Sequence, residues 1–185
     1  MNIGLLVIIV AVAIIIVLLA VIIARRRRSQ RLQEHFGPEY QQAVARAGDR
    51  RAAESDLAAR EQRHRQLDIV ELEPAARAGY VVAWQATQTR FVDDPAGATR
   101  EADTLVARVM RDRGYPVEDF EQGADDVSVD YPNVAENYRA AHALALANDQ
   151  GLASTEELRQ AFVHYGSLFA ELLDIEQDGH RQEAQ

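Results

Sequence analysis

Residues 3–24 carry no charge and no strongly polar side chain, and Gly4 is the one poor helix former among them. At a rise of about 1.5 Å per residue such a run makes a helix about 33 Å long, enough for a hydrocarbon core of about 30 Å. A core helix of a soluble domain keeps a polar face, and this run has none. Its many β-branched residues lower helix propensity in water. In lipid that matters less, because a helix is the only single-segment structure that pairs its backbone groups internally. The pattern predicts a transmembrane helix. A cleaved secretory signal would need a basic start, a shorter apolar stretch and a small-residue cleavage site, whereas the chain opens Met1-Asn2 and no such site follows.

The pattern then changes. Residues 29–36 can extend the first helix until Gly37-Pro38 breaks it, and Pro38 can open the next. Residues 39–72 are rich in Ala, Arg, Glu and Gln, interrupted at Gly48-Asp49. Asp56 with Arg60 and Glu61 with Arg65 have the favourable acid-first spacing of four. Large apolar residues are sparse and no heptad is sustained, so 29–72 is expected to be a charged, solvated helical stalk next to the membrane.

From residue 73 the apolar positions recur at steps of three and four. Pro74 can open a helix placing Tyr80, Trp84 and Phe91 near one face, ending around Asp93. Asp94-Pro95 is a helix start, because Asp accepts from free N–H groups and Pro at the first position has none to leave unpaired. The apolar stripe that follows runs through Leu105, Val106, Val109 and Met110, with Gly114 as its stop. An acidic connection spans 115–130; a short helix is expected near 117–122, and Val127-Ser128-Val129 is the only hint of strand alternation. Pro132 opens a further helix ending near 148–151. Ser154 and Glu157 form a capping box ahead of the cleanest amphipathic stripe, Leu158, Phe162, Tyr165, Phe169, Leu172 and Ile175. The expected fold is all-α: a transmembrane anchor with basic flank (1–28), the stalk (29–72), a small antiparallel bundle (73–176) and a polar tail (177–185).

Charge sets the orientation. Arg25, Arg26, Arg27 and Arg28 follow the apolar run directly and no basic residue precedes it, so the positive-inside bias places the N-terminus outside and the larger part in the cytoplasm. The same four arginines are candidates for contact with anionic headgroups. All basic side chains are Arg, a composition that points to GC-rich, bacterial coding and so to the inner membrane. Past Arg28 the chain holds 16 Arg against 29 acids, which argues against nucleic-acid binding through a basic face. The absence of cysteine excludes disulfides, Cys-ligated metals and thiol catalysis.

Candidate chemistry is thin. No phosphate-cradling, dinucleotide-binding or nucleophile-turn motif occurs, so no catalytic residue and no cofactor is assigned. His142 and His164 fall on neighbouring expected helices. With Trp84 and Tyr138 they define a candidate pocket for a small molecule or metal, although large apolar residues at helical spacing mostly pack a core. The acids of 115–130 lack the central glycine and terminal glutamate of a calcium loop and are expected to be solvated.

The segments Phe36-Gly37-Pro38-Glu39-Tyr40, Phe91-Val92-Asp93-Asp94-Pro95, Val109-Met110-Arg111-Asp112-Arg113-Gly114-Tyr115-Pro116 and Tyr138-Arg139-Ala140-Ala141-His142 resemble a group of bacterial single-pass membrane proteins of unknown function. The resemblance covers most of residues 36–145 and implies membrane attachment, with no activity or site to carry over. Three functions follow as expectations: a membrane-tethered scaffold that meets the bilayer and a protein partner, a sensor or enzyme using the candidate pocket, or an outward-facing envelope component.

Overall fold

The computed structural model describes residues 3–174, with side chains from residue 11 onward. Among the described residues the chain is all-α, with eight helices and no strand. They are α1 (Ile3–Phe36), α2 (Pro38–Ala47), α3 (Arg50–His64), α4 (Pro74–Phe91), α5 (Pro95–Asp112), α6 (Phe120–Asp130), α7 (Pro132–Asp149) and α8 (Thr155–Leu172). Ile175 and the tail 177–185 lie outside the described residues.

Helix ends follow local chemistry. Pro stands at the start of α2, α4, α5 and α7, where a missing N–H leaves no bond unmade. Asp49, Asp94 and Asp119 cap α3, α5 and α6 by accepting from the N–H three residues on. Ser154 and Glu157 close a reciprocal capping box at α8. Gly114 takes φ 95 just past α5, in the left-handed half of backbone space that turns the chain away from the helix. Its Cα also lies so close to the Asp68 carbonyl that a side chain there would collide with backbone.

α8 packs between α5 and α7, α4 covers α5, and α6 lies on α7. Val106, Val109, Met110, Tyr138, Tyr165, Leu168 and Phe169 are buried in this core. Residues 65–73 wrap the end of α5, where Val70 N–H donates to Arg113 O at 3.0 Å and Leu67, Ile69 and Leu72 rest on the core. Arg113 is buried and donates to Tyr131 Oη at 2.6 Å and Leu172 O at 2.7 Å, tying this wrap to α7 and the end of α8.

Two expectations are corrected. Residues 29–64 are helical apart from short turns and 65–72 are not, and the segment is no solvated stalk: the end of α1, α2 and α3 enclose a second core of Leu32, Phe36, Tyr40, Ala43, Ala53, Leu57 and Val129, which sits on α6 and α7. Small Ala side chains and charged groups that pair internally fill this core, so the scarcity of large apolar residues misrepresents it. The acidic connection is likewise no loop beyond residue 119. It folds as α6, with Asp126, Val127, Ser128 and Val129 buried, and the expected strand alternation at 127–129 is helical.

The apolar run enters α1, which continues unbroken to Phe36. The side chains of residues 3–10 lie outside the description. The remaining part, 11–24, is about 21 Å of helix before Arg25. Among the described residues no helix is long and apolar enough to cross a membrane.

Candidate functional site

Four neighbourhoods concentrate polar or aromatic chemistry. The first joins the two cores. Glu39 is wholly buried; its Oε1 accepts from Arg46 at 2.5 Å and Arg60 at 2.9 Å, and its Oε2 accepts from Arg139 at 2.9 Å. Asp125 Oδ1 lies 2.7 Å from Arg60 Nη1 and 2.9 Å from Arg139 Nη2. Glu39, Arg60, Asp125 and Arg139 thus close a ring of alternating charge contributed by α2, α3, α6 and α7. Arg60 is further held by Asp56, one turn back, at 2.6 Å. With each carboxylate shared by at least two guanidinium groups, the ring serves as a bolt between elements and offers no open ligand position. Burial raises the Asp125 carboxyl above its ordinary range, against the pull of Arg60 and Arg139. Beside the ring, both oxygens of buried Asp126 lack a hydrogen-bond partner, and Arg63 Nε stands 3.6 Å away.

The second neighbourhood receives the four residues expected to form a pocket, and divides them. Trp84 is stacked on Phe162 and Phe169, with ring centroids 5.0 and 4.7 Å apart, and is part of the core packing. Tyr138 is buried against Phe120 and Tyr165. His142 stacks on Phe120 at 3.6 Å, and its Nδ1 lies 3.3 Å from Asp103 Oδ1. His164 is half-buried on α8. Tyr138 and His142 therefore meet through Phe120, Trp84 belongs to a separate aromatic stack, and no described contact brings His164 to His142. Among the described residues no group of His, Asp and Glu is arranged to hold a metal ion.

Asp103 also accepts from Tyr165 Oη at 2.7 Å. Burial opposes its ionisation, but the His142 ring and the Tyr165 hydroxyl outweigh that and hold the carboxyl below its usual range. Burial, with Asp103 nearby, pushes the Tyr138 and Tyr165 hydroxyls upward, so neither is ionised near neutral pH. A similar contact sits at the end of α6, where Asp130 accepts from Tyr115 and lies 2.7 Å from His64 Nε2.

The third is a concavity of about 910 Å³ between residues 71–74 and α4, lined by Leu72, Pro74, Arg77, Val81, Val82 and Gln85 among others. None of the four residues expected to form a pocket lines it.

The fourth lies where α1 leaves the apolar run. Arg25, Arg26 and Arg28 line a groove of about 730 Å³ with Arg50 and Arg51 from the start of α3. Arg27 is exposed and does not line it. Sequence spacing could not have found Arg50 and Arg51, since only the turn at residues 47–49 and the packing of α3 on α1 bring them there.

No family model, curated protein or solved structure matches the chain. The geometry of these neighbourhoods is therefore the basis for a functional reading.

Proposed function

We propose that the chain is a single-pass, membrane-tethered helical scaffold of a bacterial inner membrane. Residues 3–24 span the bilayer and the acidic helical domain lies on the cytoplasmic side. The observation that carries this reading is the double character of α1. Its described apolar positions from Val12 to Ile23 include large side chains left 43–60% exposed, while Leu32 and Phe36, on the same unbroken helix, are wholly buried in the domain. Exposed Ile, Val and Leu on consecutive turns are unfavourable in water and favourable in lipid.

On this reading the domain is not suspended on a flexible tether. The helix that leaves the membrane is itself built into the second core, and the ring of Glu39, Arg60, Asp125 and Arg139 bolts that core to α6 and α7. Such a joint suits a module that presents a protein-binding surface at fixed height and orientation. Exposed Leu146, Leu152 and Val163 on and beside α7 and α8 are among the apolar positions available to a partner.

The test is fractionation with topology mapping. The full chain is expected in the pellet after alkaline washing, and a C-terminal alkaline phosphatase fusion is expected to be inactive. Recovery in the supernatant overturns the anchor; an active phosphatase reverses the orientation.

A further inference from the structure

The groove at the end of the apolar run differs from an ordinary basic flank because two of its five arginines come from another helix. α3 starts level with Ser29: Arg50 Nη2 donates to the Ser29 hydroxyl, and Arg50 Nε donates to Glu54 Oε1 at 3.0 Å. Ser29 and Tyr40 donate to the same Glu54 oxygen at 2.6 and 2.9 Å. This clamp, buried at Ser29 and open at Arg50, fixes the start of α3 against α1, one turn beyond Arg25.

Among the described residues Glu54 is the only carboxylate lining the groove, against five arginines. Among the described residues Arg25, Arg26, Arg28 and Arg51 have no ion-pair partner. The N-terminus of α3 is already capped by the Asp49 carboxylate, so the positive charge of the groove is that of its guanidinium groups. Four unneutralised guanidinium groups facing one concavity form a receptor for a phosphate anion, which arginine binds through paired N–H donors.

We propose that this groove binds the phosphate of an anionic lipid headgroup, gripped between Arg25 and Arg28 of α1 and Arg51 of α3. The proposal rests on the membrane reading, which puts Arg25 at the depth of the headgroups. It goes beyond a general attraction of the flank to the bilayer by assigning a role to Arg51, which lies outside the flank.

The experiment uses the full chain purified in zwitterionic micelles, titrated with phosphatidylglycerol, with retained lipid counted by native mass spectrometry. Arg51 is exposed and outside the Ser29 and Glu54 clamp, so Arg51→Gln is expected to leave the unfolding midpoint unchanged. It is expected to lower phosphatidylglycerol retention about fivefold, the equivalent of one arginine near a headgroup, without changing retention of phosphatidylcholine. Arg108→Gln, exposed on α5, is the control and is expected to match the unmodified chain. Equal retention by the chain and Arg51→Gln overturns the proposal, as does an equal loss in Arg108→Gln, which would reflect net charge alone. Displacement of the lipid by millimolar inorganic phosphate overturns the assignment to lipid and makes a soluble phosphate the occupant. Alkaline washing reports on the anchor and micelle retention on the groove, so failure of one is distinguishable from failure of the other.

Discussion

Glu39, the second residue of α2, accepts a hydrogen bond at 2.9 Å from Arg139 of α7, a hundred positions further along the chain. Glu39 has no solvent exposure, and Arg60 reaches it from α3, so one carboxylate holds together three helices from opposite ends of the sequence. Removing its charge leaves two nearly buried guanidinium groups short of a partner. Glu39→Gln is therefore expected to cost about 3–5 kcal/mol, read as a lower denaturant midpoint in the emission of Trp84. A loss under about 1 kcal/mol would mean that Asp125 alone neutralises the ring.

Asp126 is the opposite case, a buried carboxylate with no hydrogen bond. Burial raises its pKa above the ordinary 3.8, and the attraction of Arg63 does not compensate. A carboxyl raised in the folded state binds more protons there than in the unfolded chain, so this group lowers stability as pH climbs from 3.8 through its folded value. Asp126→Asn is expected to gain about 1 kcal/mol at pH 7 and to gain nothing below pH 3.8. A variant less stable at pH 7 than at pH 3 relative to the unmodified chain contradicts this.

Asp103 has the reverse sign. Despite burial, His142 and Tyr165 hold its pKa below 3.8, so its contribution is complete above that pH and fades as pH falls through the folded value. Tyr165→Phe removes a hydrogen bond to an ionised carboxylate and is expected to cost about 2 kcal/mol at neutral pH. The difference from the unmodified chain should shrink in acid; a penalty independent of pH would assign the loss to packing.

Gly114 and Gly151 both have positive φ, at 95° and 69°, but only Gly114 is pressed against another backbone. A Cβ at Gly151 meets nothing, whereas one at Gly114 runs into the Asp68 carbonyl. Gly151→Ala is expected to cost about 1 kcal/mol and Gly114→Ala at least twice that, with loosening of residues 65–73. Proteolysis at 65–73 is the check: enhanced cleavage in Gly114→Ala and none in Gly151→Ala.

Helix boundaries were legible because their causes are local. Asp94 caps from one residue before Pro95, Ser154 and Glu157 bond across three positions, and Gly37-Pro38 ends one helix and begins another in two. The stripe on α8 was legible for the same reason, since burial of Leu158, Tyr165, Phe169 and Leu172 repeats with the helix period. Asp125 and Asp126 were not. In a run of acids they resemble a solvated loop, and what makes α6 foldable is Arg60 and Arg139 arriving from elsewhere.

The apolar run, its arginine flank and the all-helical character were in the chain itself, because each depends on neighbours within a turn or two. Which charges are buried, which histidine meets which ring, and that Arg51 lines one groove with Arg25 depended on how the helices fold back on one another. A charged side chain looks the same in sequence whether it faces water or a partner, and only the packed structure supplies that partner.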